Sequence, residues 1–193
     1  MLKKYELLLN HRLQALNNIF QDSHMIEQFE EFATIIKDTI KNKKEIFVFG
    51  NGGSAADAMH FSGELVGRFN KNRSPYPVHA LNCDVASMTA IANDFSYDDI
   101  FARQVEAFAK KGDLLFVLTT SGNSVNVLKA LEYANVHDIV TSGFIGKDGG
   151  RVLPLLKYPV HIHAEDTDII QEAQKILIHI MCAEIDDESD NLV

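Results

Sequence analysis

The sequence predicts an α/β chain, a doubly wound parallel sheet flanked by helices with a helical segment ahead of it. Three observations carry this. Short apolar runs of strand length alternate with stretches of helical period. Several of those runs, such as those within residues 45–49 and 113–118, are apolar at nearly every position, which strands covered on both faces require. Two of the runs stop at polar loops rich in Gly, Ser and Thr, and ligands of parallel sheets sit beyond such strand ends.

Along the chain, Leu7, Leu8, Leu13, Leu16 and Phe20 suggest one amphipathic helix, and Ile26, Phe29, Phe32, Ile35, Ile36 and Ile40 a second. Asp22 and Ser23, good capping residues, lie in the turn between them. Strands follow at 45–49, 77–81, 113–118, 138–143 and 159–163. Helices are expected at 54–67, 85–92, 99–109, 123–134 and 168–185. No internal repeat or long linker divides the chain, so residues 1–193 read as one domain in which 1–43 form the helical N-terminus.

Composition narrows the function. The 193 residues are 46% hydrophobic, within the globular range. No apolar stretch reaches the roughly 20 residues of a membrane span, and the N-terminus lacks the apolar run of a signal peptide. Two cysteines, Cys83 and Cys182, provide no disulfide framework and read as reduced core residues. These features point to the cytoplasm. The net charge of −9 argues against nucleic acid, whose phosphate backbone demands a basic face. A small phosphorylated ligand remains compatible, because backbone N–H groups and hydroxyls hold phosphate without net positive charge. Part of the acidic excess sits in residues 186–190, expected as a solvated, frayed tail.

Four segments could carry chemistry. Gly50-Asn51-Gly52-Gly53-Ser54-Ala55 formally fits the G-x-G-x-x-A dinucleotide pattern. The acidic residue that pattern needs about 20 positions on is missing, since Asp84 comes too late. The loop is either a tight strand-to-helix turn or an anion nest. Thr119-Thr120-Ser121-Gly122-Asn123-Ser124 gathers hydroxyls at a helix start, as a phosphate site or as an ordinary cap. His60 and Glu64, with i,i+4 spacing, share a helix face and could be a metal pair, an acid/base pair or a surface hydrogen bond. His179 lies among apolar neighbours, as a core residue or a catalyst. His179 with Cys182, and His161 with His163, are further metal pairs to consider.

Together these motifs resemble the phosphoheptose isomerases of the sugar-isomerase (SIS) fold. The matching segments are 50–54, 57–61, 64–68, 93–95, 120–124, 146–150 and 168–171, with His179. They span nearly the whole chain in the family's order. The resemblance implies conversion of D-sedoheptulose 7-phosphate to D-glycero-D-manno-heptopyranose 7-phosphate, the first step of activated-heptose biosynthesis for a glycan such as lipopolysaccharide or capsule. It implies Glu64 as general base and His179 as its acid partner. It implies one zinc per site on His60, Glu64, Gln171 and His179. Substrate contacts carried over by resemblance are Asn51, Gly52, Gly53, Ser54, Asp94, Thr119, Thr120, Ser121, Ser124, Asp168 and Gln171. It also implies a homotetramer with sites at subunit interfaces, the N-terminal helices packing on neighbouring subunits. The chain departs from the family in having Ile169 where Arg is common, and Thr119 where Ser is common.

In the implied reaction a carboxylate shuttles a proton between C1 and C2 through an enediol while a second group serves the oxygens. Zinc would act as a Lewis acid, and a Glu64 that works as base can be held by it only weakly. Spacing adds a constraint. Gln171 and His179 are about 12 Å apart on a straight helix, so one metal cannot readily take both. Either the last helices of two subunits serve each site or this helix is bent. Rival readings are a non-catalytic sugar-phosphate-binding regulator of the same fold, an isomerase for another sugar phosphate, and a nucleotide-dependent oxidoreductase.

Overall fold

A computed structural model describes residues 2–192. Five strands form one parallel sheet: β1 (Ile46–Gly50), β2 (Val78–Ala80), β3 (Leu114–Thr119), β4 (Val140–Ile145) and β5 (Tyr158–His161), in the order β2-β1-β3-β4-β5. Seven α-helices cover it: α1 (Leu2–Phe20), α2 (Ser23–Lys41), α3 (Gly53–Val66), α4 (Val85–Asp94), α5 (Ala102–Phe108), α6 (Val125–Val136) and α7 (Thr167–Asp187). This is the doubly wound arrangement the sequence predicts.

The central strands β1 and β3 are apolar almost throughout because both of their faces are buried. Ile46 and Val48 of β1, with Leu114, Phe116 and Leu118 of β3, face a core shared with α2, α3 and α7. Phe47 and Phe49, with Leu115 and Val117, face a second core under α5 and α6. The period of two divides each strand between the two cores. Phe32 of α2 packs on Phe116 and Phe144, with ring centroids 4.7 and 5.0 Å away. Side chains of this size each contribute roughly 1.5–3 kcal/mol by burial.

The strand order has one switch point. From β1 the chain first steps outward to β2, then returns past β1 to place β3 on its other side. The loops leaving β1 and β3 therefore run to opposite faces and open a crevice between them. Both polar loops singled out in the sequence lie at that crevice.

Four expectations need correction. The predicted helix at 99–109 is broken: residues 97–99 form a 3₁₀ turn and α5 starts at Ala102. Asp99 closes that turn, its carboxylate accepting from Ser96 Oγ (2.5 Å) and Lys129 Nζ (2.6 Å). The acidic tail is not simply solvated. Asp186 is 1% exposed and accepts from Arg73 Nε at 2.7 Å. Cys83 is exposed rather than in the core, whereas Cys182 is buried. Finally, α1 buries only Ile19 of its own length, and Leu7, Leu8 and Leu13 of its predicted apolar stripe face outward. The Asp22 cap is present, its Oδ1 accepting from His24 N and Met25 N.

Candidate active site

The first loop turns tightly from β1 into α3. Gly52 has φ +58°, a left-handed conformation that glycine adopts without a Cβ penalty. Gly53 opens α3, and a Cβ there would come within 2.5 Å of Gln171 Nε2, so glycine lets α7 lie against the start of α3. Ser54 is buried in that first turn. The second loop is tied to itself. Thr119 Oγ1 accepts from Gly122 N (3.2 Å), and Ser121 Oγ accepts from Asn123 N (3.3 Å). Ser124 stands at the cap position of α6 but makes no side-chain capping bond, which leaves its hydroxyl for a ligand.

The two loops are locked together. Asn51 Nδ2 donates to Asn126 Oδ1 (2.9 Å), and Asn126 Nδ2 donates back to Asn51 Oδ1 (3.0 Å). Tyr97 Oη also donates to Asn51 Oδ1, at 2.9 Å. Asn51, expected as a sugar contact, thus spends most of its amide on holding the loops in register. The N–H groups and hydroxyls of both loops lie at the N-terminal ends of α3 and α6, where exposed backbone donors favour an anion such as phosphate. Thr120 is half-buried in the same loop. Asp94 ends α4, where its carboxylate accepts from Asn93 Nδ2 at 2.8 Å. Asp84, too late in sequence for a nucleotide ribose, caps α4 by accepting from Ser87 N.

Helices α3 and α7 run parallel, side by side. Gly53 meets Gln171, Asp57 Oδ1 accepts from Lys175 Nζ at 2.9 Å, and His60 meets His179. The offsets, 171 − 53 = 118, 175 − 57 = 118 and 179 − 60 = 119, are nearly constant, so α7 tracks α3 and does not bend away. At the third rung His60 Nε2 lies 3.0 Å from Glu64 Oε1 and 3.4 Å from His179 Nε2. The side chains of His60 and Glu64 are 34% and 24% exposed, enough for substrate to reach them. His179 is half-buried, not a core histidine, and Phe69 stacks on it at 5.8 Å. Glu64 and His179 meet through His60.

His60 Nε2 stands between Glu64 Oε1 and His179 Nε2, three atoms that can each offer a lone pair to a cation. Two imidazole nitrogens 3.4 Å apart match neighbouring vertices of a tetrahedral zinc shell with bonds of about 2.0–2.1 Å. The three nevertheless form a row with His60 in the middle. Among the described residues no three His, Cys, Asp or Glu side chains are grouped to hold a metal ion. Gln171 stands two rungs lower, about 10 Å along the helices from His60. The donor chemistry fits zinc, while one chain by itself presents an incomplete shell.

The other candidate pairs are occupied. His161 Nε2 meets the Lys147 carbonyl (2.8 Å) and His163 Nδ1 meets Asp22 Oδ2 (3.0 Å). Burial pushes the His161 imidazole below its usual value. Burial, and then the Glu64 charge beside it, push the Cys182 thiol up to about 12, far from thiolate chemistry. Asp168 accepts from the Arg12 guanidinium (2.5 Å), which holds its carboxyl below the usual range. Ile169 is buried in the core, so its side chain makes no polar contact in this chain. Asn126, Tyr97, Lys175 and Arg12 were not singled out from sequence. Each acts across elements distant in the chain, where no local spacing signals it.

The SIS domain family matches residues 12–146. A phosphoheptose isomerase from Nitratiruptor sp. is 47% identical over 150 residues, covering 78% of this chain and 80% of that relative. One from Clostridium acetobutylicum is 39% identical over 183 residues, 95% of this chain and 93% of the other. The structure of a phosphoheptose isomerase from Francisella tularensis superposes with a TM-score of 0.91 at 30% identity, covering 96% of this chain and 98% of that one.

Proposed function

The chain belongs to the phosphoheptose isomerases of the SIS domain family, and from that premise we propose that it interconverts sedoheptulose 7-phosphate and the corresponding aldose 7-phosphate by proton transfer at Glu64 and His179. The observation that carries the reading is the row Glu64–His60–His179 on two parallel helices, one of which begins at the anion nest. Ser54 and His60 are about 9 Å apart along α3. An extended seven-carbon sugar spans that gap between its phosphate and its C1–C2 end.

The phosphate sits against the N–H groups and hydroxyls of Ser54, Thr119, Thr120, Ser121 and Ser124, with Asp94 and Asp168 directed at sugar hydroxyls. Glu64 takes a proton from C1 of the ketose while the C2 oxygen gains one from His179, which gives the enediol. Loss of the O1 proton and return of a proton to C2 give the aldose, so one hydrogen moves from C1 to C2 and one from O1 to O2. His60 holds Glu64 in place and links it to His179. Zinc, if bound, would be held by His60, His179 and, weakly, Glu64, and would supply Lewis-acid stabilisation of developing oxygen charge.

The exposed side chains Met59, Val66, Ile176 and Ile180 lie on the same two helices, and Leu2, Tyr5, Leu9 and Leu13 are exposed on α1. Apolar surface of this kind supports a homo-oligomer. We read it as a tetramer in which α7 of a second subunit brings Gln171 to the shell that one chain leaves incomplete. The substrate is a phosphate ester that does not cross a bilayer unaided, and no helix of the described residues is long and apolar enough to span one. We therefore assign the work to the cytoplasm. The test is an assay of sedoheptulose 7-phosphate with and without chelator. Aldose 7-phosphate is expected, with turnover falling on chelation and returning with zinc. No aldose from either preparation would leave a non-catalytic binding protein, and chelator-resistant turnover would remove the metal.

A further inference from the structure

Arg12 lies on α1, a helix that otherwise buries little of itself. Its guanidinium reaches the first turns of α7, donating to Asp168 Oδ2 at 2.5 Å and to Glu172 Oε1 at 2.6 Å. Those two carboxylates have i,i+4 spacing and would repel without a cation between them. Both line a cleft of about 300 Å³ that also contains Gly53, Asp57, Gln171 and Lys175, and so opens beside the first turn of α3. Lys175, the cation in that lining, is committed to Asp57 at 2.9 Å.

We propose that Arg12 is a positioning residue for substrate binding: it holds the Asp168 carboxylate in the orientation that accepts from a sugar hydroxyl near the phosphate-bearing end. It also cancels carboxylate charge close to the seat of the phosphate. This rests on the reading of Asp168 as a sugar contact. The physical case is geometric. The Asp168 side chain is 59% exposed, and its other tie, Oδ1 accepting from Ile169 N at 3.1 Å, lies within the same turn and leaves Oδ2 without a set orientation. A planar guanidinium fork, anchored on Glu172 by one arm, does select one. Lysine keeps the charge and loses the fork, so Arg12→Lys should rescue only in part.

The test is steady-state kinetics on sedoheptulose 7-phosphate with Arg12→Ala, Arg12→Lys, Asp168→Asn, the Arg12→Ala/Asp168→Asn double variant and Glu172→Gln. Arg12→Ala should raise KM about fivefold, with kcat within about twofold, as expected for loss of a partly exposed ion pair. In the Asp168→Asn background the same change should add nothing further, because its target is gone. Glu172→Gln should move KM much less than Arg12→Ala. A merely structural tether between α1 and α7 predicts otherwise: Glu172→Gln as harmful as Arg12→Ala, and additive effects in the double variant. Either result overturns the inference. If Asp168→Asn raises KM and Arg12→Ala does not, the inference alone falls. If Asp168→Asn leaves KM unchanged, the sugar-contact reading falls and takes the inference with it.

Discussion

Ser124 shows how one residue can be kept for a ligand. It occupies the cap position of α6, where a serine hydroxyl ordinarily accepts from the first turn, yet it makes no such bond. Ser124→Ala should therefore raise KM for the phosphorylated substrate about tenfold, the worth of one hydrogen bond to a charged group, with little change in kcat. An unchanged KM in steady-state kinetics would place the phosphate elsewhere. At this scale the sequence was informative where partners sit a turn apart. His60 and Glu64 announce themselves by spacing, and the hydroxyl loop by composition. Asn126, Tyr97 and Arg12 could not be read in that way, because each meets its partner only after the chain has folded.

At the scale of elements, α3 is held at both ends. Its start is fixed by the loop pair Asn51–Asn126. Its end is fixed by Arg73, whose guanidinium donates to the carbonyls of Glu64 (2.9 Å) and Leu65 (2.9 Å) and to Asp186 (2.7 Å). The Arg73 and Asp186 side chains are 3% and 2% exposed, so this is a buried pair. Removing one partner leaves an uncompensated charge, and Arg73→Met should cost about 3–5 kcal/mol in chemical denaturation. Burial alone would raise the Asp186 carboxyl. Donation from Lys71 N, Arg73 and Asn70 N outweighs it, and the group lies below its ordinary value. Its contribution is thus complete above the unfolded carboxyl range and is lost as pH falls through the lower folded value. Asp186→Asn should flatten the acid limb of a stability–pH profile, and an unchanged limb would contradict the pairing. The central strands β1 and β3 were legible because strands buried on both faces are apolar at nearly every position. Asp186 was misread as part of a solvated tail, since nothing in a run of acidic residues says which one meets an arginine 113 positions away.

Across the whole molecule, the fold's task is to join residues from opposite ends of the chain. Glu64 and His179 are 179 − 64 = 115 positions apart and meet through His60 because α3 and α7 pack in parallel with a constant offset. The switch point between β1 and β3 puts the first polar loop at the head of α3, so the proposed phosphate seat and Glu64 share one rigid element, with His179 brought up on the neighbouring α7. The order of motifs along the chain made the fold and the residue set readable. The separation of Gln171 from His179 was legible in the spacing of α7 alone; the parallel register that sets His60 against His179 was not, because it exists only between the two packed helices. The central claim is that the Glu64 carboxylate moves the proton. Steady-state turnover of sedoheptulose 7-phosphate by Glu64→Gln tests it most directly. The account predicts kcat lower by about a hundredfold or more with KM within about threefold, the loss expected for a missing general base. A kcat within about threefold of the parent enzyme would contradict it.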